Sequence, residues 1–220
     1  MEIKISPSIL SADFGNLRHD AIEAVAAGGC AVHIDFMDGH YVHNLSFGLD
    51  VIPALKSHVS VPLVAHLEIE APDRFLRDFA EAGSDMIVVQ EDTCPNLPRT
   101  IDAIRDLGVE AGIGINPDRN FSRIEAHPHI LREIRLLIVM GVYPGFGGQR
   151  FAATVEKNIS RAVELREEAG VNFDIGVDGG VSTATVPHIV AAGANYLIAG
   201  SSIFNGDISK NMAALRESAS

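Results

Sequence analysis

AVHIDFMDG, Ala31 to Gly39, is an apolar run of strand length that breaks into histidine and aspartate at its downstream end. Side chains two apart on a strand project to the same side, so His33 and Asp35 point together. Two distant runs have the same character: PLVAHLE, Pro62 to Glu68, carries His66, and FDIGVDGG, Phe173 to Gly180, carries Asp178. These residues meet only if the strands lie side by side, so the fold must bring remote segments together.

Short β-rich runs alternate with amphipathic segments along the whole chain. Strands are expected in IKISPSIL and CAVHIDF, then over Val61–His66, Met86–Gln90, Glu110–Ile115, Arg135–Met140, Phe173–Val177 and Tyr196–Ala199. Helices are expected over Leu17–Ala27, Val51–Lys56, Arg74–Ala82, Leu97–Leu107, Ser122–Ala126, Ala153–Ala169, Thr183–Ala192 and Ile208–Arg216. The helix ends repeat a small-residue stop, seen in AAGG (Ala26–Gly29), EAGS (Glu81–Ser84), DLG (Asp106–Gly108), EEAG (Glu167–Gly170) and AAGA (Ala191–Ala194), where glycine supplies a left-handed cap. Eight strand–helix units without an early GxGxxG turn predict a closed parallel (β/α)8 barrel of the TIM type, not a Rossmann sheet. No low-complexity stretch or linker divides residues 1–220, so one domain is expected.

Lysine and arginine number 17 against 29 aspartates and glutamates, a net charge of −12, and the pI is near 5.1. Such a surface repels nucleic acid and anionic membranes, and a small anionic substrate needs a local positive site. No apolar run reaches the roughly 18 residues of a membrane span, and MEIKISPSIL lacks the features of a secretory signal, so a cytoplasmic address is expected. Cys30 and Cys94 form no CxxC pair and read as ordinary thiols.

In an eight-fold barrel the active site lies at the C-terminal ends of the strands, where His33, Asp35, His66 and Asp178 all fall. Two imidazoles and two carboxylates suit one divalent transition ion, with Zn²⁺ the first choice and Fe²⁺, Mn²⁺ or Co²⁺ as alternatives. Strands two and seven lie three places apart in the ring, so Asp35 and Asp178 face each other across the mouth. One carboxylate then removes a proton from one face of a substrate carbon and the other returns a proton to the opposite face, with the metal stabilising the enediolate between them. Asp38, in MDG, reads as a turn or capping residue.

Glycine-rich turns follow the last three predicted strands: PGFGGQ (Pro144–Gln149), DGG (Asp178–Gly180) and AGSS (Ala199–Ser202). Backbone amides in such loops wrap an anion, and this end of the barrel is a recurrent phosphate site. Ser8, in ISPSIL, is placed to reach the substrate from the mouth. Met37 and Met140 are candidates for an apolar lid over the metal, or for core.

The motifs resemble those of the ribulose-phosphate 3-epimerase family, from ISPSILSADF (Ile5–Phe14) through to AGSSIF (Ala199–Phe204). HIDFMDGHYVHN is similar to that family's H-x-D-x-M-D-G-x-F-V-P-N, AHLE to its x-H-L-M, MGVYPGFGGQ to its M-x-V-x-P-G-F-G-G-Q, and GVDGGV to its V-D-G-G. The resemblance implies a metal-dependent TIM barrel that interconverts D-ribulose 5-phosphate and D-xylulose 5-phosphate, and a homo-oligomer. It implies His33, Asp35, His66 and Asp178 as ligands, Asp35 and Asp178 as the acid/base pair, and Ser8 and His66 on the sugar. Gly145, Phe146, Gly147, Gly148, Gly179, Gly180, Gly200 and Ser201 are implied on the phosphate.

Several positions depart from the family pattern. Glu68 stands in place of a methionine, Gln90 of a histidine, His43 of a proline and Ala65 of a polar residue. Glu68 shares a strand face with His66, which puts a third carboxyl near the metal; the other three are expected near the sugar end. These changes bear on which sugar phosphate is preferred, with a six-carbon ketose such as D-allulose 6-phosphate the runner-up. A lyase on this scaffold would need a lysine beside the carboxylates, and Phe36 and Met37 between Asp35 and Asp38 leave no place for one. A silent sugar-phosphate binder is the remaining alternative.

Overall fold

Strands β1 (Lys4–Pro7), β2 (Val32–Met37), β3 (Leu63–Glu68), β4 (Met86–Gln90), β5 (Glu110–Ile115), β6 (Leu136–Met140), β7 (Asp174–Asp178) and β8 (Tyr196–Ala199) are all parallel in the computed structural model, which describes residues 2–145 and 151–219. Their order is β1-β8-β7-β6-β5-β4-β3-β2. The ends of that series are brought together where Ser8 bridges His33 in parallel and the Cys30 amide donates to the Ile5 carbonyl at 2.8 Å. The expected TIM barrel is the observed one.

Alternation along the strands divides the interior into two layers. Val32, Ile34 and Phe36 of β2, Leu63, Ala65 and Leu67 of β3, and Ile87 and Val89 of β4 belong to the outer core, packed beneath the helices. Val64, Val88, Leu136, Ile138, Met140, Tyr196 and Ile198 fill the barrel itself. The strands therefore read as nearly continuous apolar runs, as parallel strands covered on both faces must.

Helices α1 (Leu17–Ala26), α2 (Val51–Lys56), α3 (Leu76–Ala82), α4 (Leu97–Asp106), α5 (Ser122–Glu125), α6 (Val155–Ala169) and α7 (Val186–Ala191) each follow one strand, and α8 (Ser201–Phe204) and α9 (Ile208–Ser218) follow β8. In α4 the spacing of Leu97, Ile101 and Ile104 buries one stripe against the sheet, at about 1.5–3 kcal/mol for each such side chain. The glycine stops act as read: Gly83 (φ +108°) and Gly170 (φ +61°) take the left-handed conformation at the ends of α3 and α6. No helix among the described residues is long and apolar enough to cross a membrane.

Three helices begin later than their periodicity predicts, α6 at Val155 among them. Pro72–Arg74 forms a separate 3₁₀ turn after Ala71 at φ +50°, so α3 starts at Leu76. Before α7 the Thr185 hydroxyl accepts from the Ser182 amide at 2.9 Å and donates to the Gly180 carbonyl at 2.8 Å, holding residues 180–185 in a turn. Side-chain bonds of this kind compete with helix formation. The short helix α8 carries no periodic signal and goes unread in the sequence.

Candidate metal centre and substrate cleft

Register places the chemistry. Asp35 on β2 lies directly beside His66 on β3, and Met140 on β6 beside Asp178 on β7, while the Ser8–His33 bridge brings β1 against β2. His33 and His66 are fully buried, and Asp35 and Asp178 nearly so. His33 Nε2 lies 3.0 Å from Asp35 Oδ1 and 3.3 Å from Asp178 Oδ2, while His66 Nδ1 lies 3.1 and 3.3 Å from the same two oxygens. The two ring nitrogens are 3.1 Å apart, and one ligand atom from each of the four residues falls within 4.8 Å of every other.

Those spacings test the donor set. Four ligands about 2.0–2.1 Å from a tetrahedral zinc would stand roughly 3.3–3.4 Å from one another, close to the separations seen. Two nitrogens and two carboxylate oxygens converging on one buried point at these separations fit a cation at its centre. The His66 ring is supported from behind, where its Nε2 lies 3.3 Å from Gln90 Nε2 and Gln90 Oε1 is buried without a partner. The two ends of a carboxamide have the same shape. With Oε1 turned to the ring, Gln90 accepts from His66 Nε2–H and leaves the Nδ1 lone pair facing the carboxylates. Gly114 makes room for that amide, since a Cβ there would stand 2.7 Å from Gln90 Oε1. His33 Nδ1 is buried with no partner.

Charge follows from packing. Burial opposes protonation of His33, but Asp35 and Asp178 outweigh it and push the ring up to about 9. His66 is likewise opposed by burial and pushed up to about 10, mainly by its hydrogen bonds with Asp178 and Asp35. Burial would raise Asp35, yet His33 and His66 hold it far below the usual carboxylate range. Glu68 goes the other way: burial, with Asp35 and Asp178 adding to it against the two imidazoles, pushes it up to about 8.

A cleft opens above these groups, lined by Ser8, Asp35, Met37, Glu68, Met140 and Asp178 together with Gly145, Gly179, Gly180, Gly200 and Ser201. Ser8 Oγ donates to Asp35 Oδ2 at 2.6 Å, an oxygen distinct from the one that meets the imidazoles. Met37 and Met140 are buried and border the cleft, so they serve as both lining and core. Asp38 is the capping residue expected: its carboxylate accepts from the amides of His40, Tyr41 and Glu70. Phe146, Gly147 and Gly148 lie outside the described residues.

Two expectations are corrected. Ala65 and His43 are not at the sugar end: Ala65 alternates out of register with His66 and packs in the outer core, and His43 is solvent-exposed. Of the three substitutions expected there, only Gln90 touches the site, through His66. Two supports escaped the sequence reading. Asn44 Nδ2 donates to the Gly145 carbonyl at 2.6 Å and ties Gly145 to the loop after β2. Gly141 passes so close to β7 that a Cβ would stand 2.0 Å from the Gly179 carbonyl oxygen, and its amide donates to the Asp178 carbonyl at 2.6 Å. Gly141→Ala is expected to cost about 1–3 kcal/mol or more and to weaken metal binding, as the loop after β7 is pushed away; thermal melting and zinc titration measure both.

The model of the ribulose-phosphate 3 epimerase family matches residues 4–204. The chain belongs to that family. A ribulose-phosphate 3-epimerase of Bacillus subtilis (strain 168) is 41% identical to this family member over 203 residues, 92% of each chain. That of Escherichia coli (strain K12) is 37% identical over 205 residues, 91% of this chain and 88% of the other. This epimerase-family chain is thus an isomerase of the carbohydrate-epimerase type. Among solved structures, KGPDC from Streptococcus mutans superposes with a TM-score of 0.72 at 16% identity, covering 100% of this chain and 98% of that one. Orotidine 5'-phosphate decarboxylase from Pyrococcus horikoshii OT3 gives 0.70 at 18% identity, with 98% of each covered. At such identities the likeness is one of barrel architecture alone.

Proposed function

We propose that the protein inverts carbon 3 of a ketose phosphate, with D-ribulose 5-phosphate to D-xylulose 5-phosphate as the first choice. In this reading Asp35 and Asp178 are the proton-transfer pair, and His33, Asp35, His66 and Asp178 hold one divalent ion, zinc first. One observation carries it: a carboxylate from β2 and another from β7 converge with two imidazoles on a single buried point at the floor of a glycine-walled cleft. The names of the Bacillus and Escherichia relatives support the choice of substrate.

A divalent ion held there supplies positive charge beside the substrate carbonyl and makes the hydrogen on the neighbouring carbon more acidic. The chain supplies the rest. Gly145, Gly179, Gly180, Gly200 and Ser201 anchor the phosphate through backbone amides, which gives an acidic protein a local attraction for an anion. Ser8 rests on Asp35 Oδ2; turning its hydroxyl to the sugar frees that oxygen to take the carbon-3 proton. Asp178, on the opposite flank, then delivers its proton to the other face of the enediolate, and the stereocentre is inverted. The reverse reaction exchanges the two roles.

A decarboxylase reading finds no support, because no lysine borders the cleft among the described residues and Met37 occupies the inward position beyond Asp35. Incubation of zinc-loaded protein with D-ribulose 5-phosphate in deuterated water tests the epimerase reading. Deuterium should enter carbon 3 as xylulose 5-phosphate accumulates. Absence of exchange with ketose phosphates of four to six carbons, under any of the four candidate ions, would overturn it.

A further inference from the structure

Glu68 is the one carboxyl of the cleft that the proton-transfer scheme leaves without a task. It is 2% exposed, shares the inward face of β3 with His66, lies beside Met37 in register, and leaves Oε2 without a partner. A buried, unpaired carboxyl oxygen is costly to keep unless something that visits the site brings it a hydrogen bond. The cleft itself is what Glu68 borders, together with Asp35, Met140 and Asp178.

Its place in the ring says which part of a visitor it meets. In the order β1-β8-β7-β6-β5-β4-β3-β2, closed on itself, β3 stands four places from β7 in either direction. The glycine turns follow β6, β7 and β8, so Glu68 faces the phosphate wall from directly across the mouth. With the phosphate at that wall and the reacting carbon between Asp35 and Asp178, a 2-ketose phosphate reaches β3 with its other end, the carbon-1 hydroxymethyl group.

Resting on the epimerase reading of this site, we propose that Glu68 is a specificity-determining residue that hydrogen-bonds the carbon-1 hydroxyl, committing the enzyme to ketose phosphates that keep a hydroxymethyl group beside the carbonyl. A site that holds a buried polar group for a substrate hydroxyl rejects the analogue lacking it far more strongly than an apolar pocket does.

The test compares D-ribulose 5-phosphate with its 1-deoxy analogue, following carbon-3 deuterium exchange in wild type, Glu68→Gln and Glu68→Met, each zinc-loaded and checked for a native melting transition. Wild type should favour the hydroxylated sugar in kcat/KM by about 50-fold or more, and Glu68→Met, similar in length but apolar, should bring the ratio within about 3-fold, chiefly by losing activity on the hydroxylated sugar. Glu68→Gln should fall between. An unchanged ratio in Glu68→Met, or a wild-type ratio below about 3, would overturn the assignment while leaving the epimerase reading intact. Should Glu68→Met fail to fold, Glu68→Gln decides: at least a roughly five-fold fall in the ratio supports it, and no change overturns it. Wild-type protein that exchanges neither sugar would instead remove the epimerase reading, and this inference with it.

Discussion

Asp178→Asn is expected to lower epimerisation by about 10³-fold or more with the barrel intact, and Asp35→Asn to do the same. In the proposed scheme each carboxylate moves the proton on its flank of the substrate, and an amide of the same shape does not replace it as a base. The folded state should survive, because Asp178 is tied to the Gly141 loop through its backbone carbonyl, which substitution leaves in place. The two variants should also differ in kind. On the proposed two-carboxylate scheme, exchange of the carbon-3 hydrogen in one epimer needs Asp35 and in the other needs Asp178, so the variants should fail on opposite members of the ribulose and xylulose pair. Separate isotope-exchange assays with each epimer, alongside measured metal content, distinguish loss of a base from loss of the ion. Turnover above about one per cent in either variant would break the two-carboxylate scheme.

Stripping the ion with a chelator should be the other large effect. Activity should fall to background and return on adding a divalent ion. At an ion concentration about 1,000 times the dissociation constant, linkage contributes about 4 kcal/mol, or roughly 10 °C in melting temperature for a domain of this size. The gap should depend on pH in a definite direction. Against the opposing effect of burial, Asp35 and Asp178 hold His33 and His66 above their ordinary values, at about 9 and about 10. In the metal-free protein this interaction is fully stabilising below the unfolded histidine value near 6.5 and is lost as pH rises through 9 to 10. The ion needs those nitrogens unprotonated, so its binding displaces protons and tightens as pH rises. Melting curves with and without chelator should therefore lie further apart at about pH 9 than at about pH 6. Equal gaps would argue against imidazole ligation.

Much of this site is legible in the chain because strand alternation is a local rule. His33 and Asp35 must share a face, and any fold that exposes the downstream ends of the strands together puts them with His66 and Asp178. The same rule, applied to Ala65, would have placed it in the outer core, one residue out of step with His66. What local rules do not reach is contact between segments remote in sequence. Ser8 on Asp35, Asn44 on Gly145, Gly141 under Gly179 and Gln90 behind His66 each join positions at least 24 residues apart.

The number of strands, the glycine stops between units and the identity of the four converging donors were all legible in the chain. Those follow from backbone geometry and side-chain chemistry, which act over a few residues. Only the closed barrel decided that the donor atoms approach to about 3 Å, that Gln90 lies behind one imidazole, and that Glu68 borders the same cleft as Gly179 and Gly180. Ring closure sets distances between strands far apart in the chain, and such distances depend on how all eight strands pack.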